Sequence, residues 1–459
     1  MRGLGMDDGR RPRNRWWLVA GTALVVFMAT LDTSVVAVAL PAMERDFGVR
    51  TAATEWVVLG YLLPLVALTL PAGRWLDGAG ARSALVLAVA GFTASSLAAG
   101  AAPALAVLVA ARIAQGACAG VLFALIPMIS TRAVRPEYAG RASALVMTLG
   151  PLGAVSGPAA GGLIAGTWGW PWIFYLNAPI GLLVIAIALV QMPPDATPPR
   201  RPDRSFAGET ALLGAATGAL LLGLSLGASH GPGWLGLAGL AVPPALAWWR
   251  SAASAPFRDL TRAPGLPGPV ALVLLNALAI SMVEFLAPFY LQRVLGLPAA
   301  AAGAAILAFP AGMVLAGPVG GLLGDRWGAA RTTLLGLVVT TLGTLLLVPL
   351  DGGWRPADLS WRLAVAGIGT GLFAGPNFAM IMSRAPGALA GTAGAAQSLA
   401  RQLGFAVGPA LATASWALSG YALPGMRWGM AVAACAGTAG IIVLWRTRLD
   451  SSDAQLWGM

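Results

Sequence analysis

Apolar positions in this chain come in long blocks, separated by short polar stretches. About 20 consecutive apolar residues carry a helix across a bilayer. By that rule helices are predicted near 16–40, 55–75, 83–101, 104–129, 142–167, 172–192, 206–228, 234–249, 269–291, 300–323, 332–350, 360–383, 397–419 and 427–446, fourteen in all. The eighth is the shortest and contains Pro243 and Pro244. A repeated loop keeps it in the count. Gly73-Arg-Trp-Leu-Asp77-Gly-Ala-Gly80-Ala-Arg82 returns as Gly321-Leu-Leu-Gly-Asp325-Arg326-Trp-Gly328-Ala-Ala-Arg331, its aspartate 248 residues further on. Copies of one loop on one side of a membrane are separated by an even number of helices. Counting the seventh and eighth segments separately gives eight between the copies; merging them gives seven and moves the second copy to the other side.

Composition agrees with a bilayer. Apolar residues make up 58% and charged residues 10%, against roughly 45–50% and 25% in soluble chains. The formal charge of +11 would ordinarily raise nucleic acid as a partner, yet all 29 basic residues are arginines whose placement follows the predicted topology. With the N-terminus inside, 21 fall in cytoplasmic segments and six outside, so both termini are expected in the cytoplasm of a multi-pass protein of the cell (inner) membrane. The lipid bilayer, and no nucleic acid, is the expected partner. The basic N-terminus precedes about 25 apolar residues without a small-residue cleavage site, which predicts a retained first helix rather than a signal peptide. Most tryptophans stand near predicted helix ends, including Trp16 and Trp17, the cluster Trp168, Trp170 and Trp172, and the pair Trp248 and Trp249, and are assigned to interfacial belts.

Chemistry for catalysis is scarce. Cys118 and Cys435 lie inside apolar runs and His230 is the single histidine, so no metal site, cofactor or enzyme activity is expected. Charges inside the predicted spans are therefore the informative residues, because ionisable groups in a bilayer are costly. Asp32, Arg112 and Glu284 all fall about 10–12 Å below the outer end of their helices. A common polar level is what a central cavity produces. A carboxylate there loses proton affinity when an arginine is near and regains it when the arginine moves. A static Asp32–Arg112 ion pair between two helices is the alternative. Arg401, near a helix end, is read as snorkelling to headgroups, and Glu55 and Glu209 as solvated acids at helix starts. Asn177, Asn276 and Asn377 are intramembrane amides able to bond across helices or to a substrate.

The stretch 149–166 places Gly153, Gly157 and Gly161 four residues apart on one helical face, with Pro158 and Gly162 beside them. A face without side chains lets a neighbouring helix approach backbone to backbone, and Pro158 predicts a bend. This spacing resembles the antiporter motif on the fifth helix of drug:proton exporters in the major facilitator superfamily. Further stretches resemble its fourteen-helix branch. Leu31-Asp32-Thr33-Ser34-Val35-Val36-Ala37-Val38-Ala39-Leu40-Pro41 is similar to the first-helix motif, with Ser34 at its threonine and Ala37 at its asparagine. Arg112-Ile-Ala-Gln115-Gly116 is similar to the motif linked with proton coupling. Trp170-Pro171-Trp172-Ile-Phe174-Tyr-Leu-Asn177-Ala-Pro179-Ile-Gly181, Tyr290-Leu-Gln292 and Arg401-Gln402-Leu403-Gly404 fit the same branch. Gly73, Asp77, Gly80 and Arg82, with Asp325 and Arg326 in the second copy, resemble the superfamily's cytoplasmic-loop latch; Gly78 stands where that motif has an arginine.

The resemblance implies an all-α integral membrane fold, with two six-helix bundles and two inserted helices. The expected organisation is a cytoplasmic segment 1–15, bundles at 16–192 and 269–446, a linker 193–268 carrying the extra helices, and a tail 447–459. It implies a monomer that exports amphipathic, drug-like or antibiotic compounds in exchange for protons by alternating access. Asp32 and Arg112 would couple protons, and Glu284, Asn276 and Asn377 would meet the substrate. A metabolite facilitator or symporter of the same superfamily, and a non-transporting sensor or scaffold, are the alternatives.

Overall fold

The computed structural model describes residues 14–76, 80–135, 139–195, 203–386 and 389–449. Helices are the regular elements among them, and none of these residues forms a strand. In order they are α1 (Trp16–Phe47), α2 (Thr51–Thr54), α3 (Trp56–Leu76), α4 (Ala81–Gly100), α5 (Leu105–Arg132), α6 (Ala139–Thr167), α7 (Trp172–Tyr175), α8 (Asn177–Gln191) and α9 (Arg204–His230). There follow α10 (Val242–Arg250), α11 (Ala255–Arg262), α12 (Pro267–Phe289), α13 (Ala299–Ile306), α14 (Ala308–Trp327), α15 (Ala329–Leu347), α16 (Pro356–Arg384), α17 (Ala390–Ala417) and α18 (Leu423–Leu449).

Hydrocarbon offers the backbone no hydrogen-bond partner, so apolar runs close their bonds internally as helices. Where they end, the local chemistry is legible. Gly48 at φ 62° terminates α1 and Gly328 at φ 89° terminates α14, both in a region that L side chains rarely adopt. Pro356 opens α16, where the Asp358 carboxylate accepts the Arg355 amide. Eleven helices among the described residues are long and apolar enough to span a membrane. The expected fourteen adds α6, α17 and the stretch 232–250. In that last stretch the sequence expectation of one helix over 234–249 meets a different structure. Pro232–Ala241 forms 3-10 turns, and α10 starts anew with Pro243 and Pro244 near its first turn. Proline lacks an amide donor and favours helix beginnings over helix interiors.

The chain divides into two compact units, residues 1–48 with 56–214, and residues 49–55 with 215–459. In unit 1, α1 packs along α6, α3 along α5, and α4 against α5 and α8. In unit 2, α12 packs along α17 and α18, and α14 and α15 both pack along α16. A cluster including Leu260, Leu266, Leu272, Phe373, Ile381 and Leu444 fills one end of unit 2. Outward positions such as Leu87, Val190, Leu315 and Leu322 are large, apolar and exposed, as lipid contact requires.

Sequence expectations about burial are corrected at four residues. Glu55 and Glu209 are buried, not solvated. Trp170 and Trp248 are buried as well, although their neighbours Trp168, Trp172 and Trp249 are exposed. The Trp170 indole donates to Asp46 Oδ2 at 2.9 Å and so is held inward.

Candidate transport site

Asp32, on α1, is 2% exposed and lies at the centre of a polar network inside unit 1. Arg112 of α5, with no exposed surface, donates from Nη1 to Asp32 Oδ2 at 2.5 Å and to Gln115 Oε1 at 2.6 Å. Its Nε donates to the Val57 carbonyl at 2.9 Å. Asp32 Oδ1 accepts from Gln115 Nε2 at 2.9 Å and from Asn177 Nδ2 at 2.8 Å. Both amides also donate to Ser96 Oγ, at 2.7 and 3.2 Å. The guanidinium lies 4.4 Å from the Tyr61 ring centroid and 5.7 Å from that of Phe174. Six helices thus contribute to one buried polar network. Within it the carboxylate accepts three hydrogen bonds, one of them from a guanidinium, a set that protonation of Asp32 would disrupt.

Helix α1 carries a second feature on another face. The glycines of α6 lie against it so closely that a Cβ built on Gly153 would stand 2.3 Å from Thr30 Oγ1. One on Gly157 would stand 1.7 Å from Ser34 Oγ. The hydroxyls of Thr30 and Ser34 reach across to the carbonyls of Gly150 and Gly153, at 2.9 and 3.5 Å. Gly161 approaches the Val35 backbone, and Pro158 and Gly162 are buried in the same helix. The seam is backbone on backbone, with only small side chains inside it.

The residues expected to meet substrate lie in unit 2. Asn276 and Asn377 are buried, and each leaves its amide oxygen without a hydrogen-bond partner. Asn377 Nδ2 donates to the Pro269 carbonyl at 3.1 Å. Glu284 is half-buried on α12. Of the loop latch, Asp77 lies outside the described residues, Gly73 is exposed, and Asp325 and Arg326 are exposed on the last turn of α14. Gly80 has a specific neighbour. The Asp195 carboxylate accepts the amides of Arg82 at 3.2 Å and Ser83 at 2.7 Å, and a Cβ on Gly80 would stand 2.2 Å from its Cγ.

Residues 22–409 match the profile of the Major Facilitator Superfamily, which is most of the chain. The chain belongs to that superfamily. This makes it a membrane transporter and not an enzyme. It is 30% identical to the tetracenomycin C resistance and export protein of Streptomyces glaucescens, over 86% of this chain and 75% of that one. It is 32% identical to a multidrug resistance protein B homolog of Mycobacterium tuberculosis, over 84% and 74%. It is 28% identical to the riboflavin transporter RibZ of Clostridioides difficile, over 89% of each.

Within this superfamily transporter, Ser96, Tyr61 and Asp195 escaped sequence reasoning. Serine and tyrosine in apolar helices carry no charge to mark them. Asp195 sits in a Pro/Arg-rich stretch that reads as a linker. A signal existed on the other side of its contact: Gly80 at the start of α4 offers no side chain to its amides, which leaves a vacancy for a distant acceptor.

Proposed function

We propose that this transporter exports amphipathic, drug-like or antibiotic compounds by proton antiport with alternating access. The observation that carries the reading is the buried Asp32–Arg112–Gln115–Asn177 network, a charge in the interior of unit 1 that is fully bonded only when Asp32 is ionised. Asp32 takes a proton from outside; the loss of its charge frees Arg112, and a changed set of bonds around α1 biases the conformational exchange. The α1–α6 seam permits movement while excluding water. Glu284 and the unpartnered oxygens of Asn276 and Asn377 present acceptors to a cationic or polar group of the substrate. The paired loops around Gly73, Asp77, Gly80 and Arg82, and around Asp325 and Arg326, latch the cytoplasmic side. The chain acts as a monomer in the cell membrane with both termini in the cytoplasm.

Purified protein in liposomes with a trapped pH-sensitive dye tests this. Cationic and neutral amphipathic compounds are added under an imposed proton gradient. Substrate-triggered proton movement is expected, and it vanishes in Asp32→Asn while the variant stays folded. Undiminished export by Asp32→Asn defeats the assignment. A second reading, metabolite transport, is favoured by the likeness to a riboflavin transporter. Flavins in the same assay separate the two: flavin flux with no response to any amphipathic compound selects the second.

A further inference from the structure

Within unit 2, α15 and α18 pack antiparallel, with Gly437 set against Thr341 and Gly440 against Leu337. Toward the end where α15 begins and α18 finishes lies a groove of about 210 Å³, lined by Leu334 of α15 and by Ile441, Ile442, Leu444 and Trp445 of α18. Leu444 is buried and belongs to the apolar cluster that fills this end of the unit, whereas Ile442 and Trp445 are 49% and 58% exposed. Lipid tails are as apolar as leucine, so such a groove accepts any acyl chain and by itself selects none. Selection lies at its mouth. Arg331 stands three residues before Leu334 and Arg446 four residues after Ile442, each one turn beyond the groove on a helix face that lines it. The register that sets 437 against 341 and 440 against 337, carried on toward the helix ends, brings the two arginines to one level. Both are exposed, and neither joins an ion pair among the described residues.

Two guanidinium groups above an alkyl groove match an amphiphile with an anionic head. A phosphodiester accepts paired N–H bonds from arginine, and one without an attached ammonium keeps the net negative charge that two arginines favour. We propose that this groove binds a diacyl phospholipid with a net negative headgroup, of the phosphatidylglycerol kind, from the leaflet next to this end of unit 2. One acyl chain lies along Leu334, Ile442 and Trp445, and the phosphate sits between Arg331 and Arg446. The groove supplies the depth and the arginines the choice of headgroup. Zwitterionic lipids of the same chain length fill the groove without that preference. The site is built within one unit, whatever the transported compound and whether or not Asp32 couples protons.

Native mass spectrometry of the full-length protein, titrated in detergent with phosphatidylglycerol or with phosphatidylcholine of identical chains, reads the two affinities. Wild type is expected to hold phosphatidylglycerol more tightly. Arg331→Gln and Arg446→Gln each weaken it roughly fivefold and leave phosphatidylcholine unchanged. Arg250→Gln, an exposed arginine of α10, alters neither affinity. Tryptophan quenching by phosphatidylglycerol brominated along its chains then reads the position. The quenching lost in Trp445→Phe is expected to exceed that lost with brominated phosphatidylcholine, and the excess disappears when both arginines are replaced by glutamine. Equal affinity for the two lipids in wild type, a preference that survives both glutamines, or quenching indifferent to Trp445 overturns the proposal. Displacement of the lipid by an equal concentration of chain-free glycerophosphoglycerol overturns it too, because the arginines would then hold a free anion. None of these readouts involves transport, so failure here is distinct from failure of the antiport reading.

Discussion

Units 1 and 2 use one packing scheme with different contents. The closest backbone approaches recur about 250 residues apart. A Cβ on Gly116 would meet the Tyr61 carbonyl at 2.0 Å, and one on Gly367 would meet the Phe309 carbonyl at the same distance. Gly157 lies on Ser34 as Gly408 lies on Ser281, and Gly181 lies on Thr93 as Gly437 lies on Thr341. Ser281 even donates to the Gly404 carbonyl at 3.0 Å, as Ser34 does to Gly153 at 3.5 Å. These anchors fix which positions correspond. Asp32 then matches Ala279, Arg112 matches Leu363, Gln115 matches Ala366 and Asn177 matches Ala433, all buried. Ser96 matches Thr344, whose hydroxyl is satisfied by the carbonyl of Thr341 in its own helix. Unit 2 thus builds the same helix contacts with apolar residues at four of these five positions. The scaffold does not need the charges, and a buried ion pair is seldom more stabilising than well-packed hydrophobic groups. The proposed proton coupling would account for the network in unit 1.

That comparison can be broken most severely by half-measures. Asp32→Ala alone strands the Arg112 guanidinium in a dry interior and is expected to cost about 3–5 kcal/mol. Thermal unfolding in detergent, followed by size exclusion, reads the loss. The complete exchange, Asp32→Ala with Arg112→Leu, Gln115→Ala, Asn177→Ala and Ser96→Thr, copies unit 2 into unit 1. It is expected to melt close to wild type while showing no substrate-triggered proton movement. A five-fold variant that cannot fold would make the network structural.

The two seams sharpen the comparison at a smaller scale. Gly157→Ala and Gly408→Ala each place a methyl against a serine, and each is expected to cost about 1–3 kcal/mol by overpacking. Adding Ser34→Gly or Ser281→Gly removes the side-chain clash and is expected to recover part of the melting temperature, the remainder being held back by the nearby backbone and the added mid-helix glycine. Transport assays on the two rescued pairs then report whether both seams move or only the one beside the charges. The smallest expected effect lies outside the membrane. Asp195→Ala removes the acceptor at the start of α4, a loss of about 1 kcal/mol typical of a helix cap. Gly80→Ala is expected to be tolerated better in that background than alone, which a double-mutant cycle measures.

Much of this was legible in sequence because a bilayer punishes exceptions. Asp32 and Arg112 stand out as charges in apolar runs, and the four-residue glycine period of α6 announces a bare face. Their contacts were not legible. Nothing local says that the bare face meets α1, or that Gln115 and Asn177 converge on one carboxylate oxygen. Glu55 misled most: an acid before a helix reads as solvated, yet the fold buries it completely. The prolines at 243 and 244 were visible as a weakness, yet where the α-helix restarts depends on how the preceding glycine-rich turns settle.

Asp32 and Ser34 are two residues apart on α1, about 3 Å along its axis. One is clasped by an arginine and the other rides in the glycine seam. In the proposed antiport, trigger and bearing would share a single helix, with no train of intermediates to slip. Mutational searches within residues 30–35 should find variants that lose both properties together. Variants that leak protons without moving cargo should map elsewhere, onto helices that touch only one of the two.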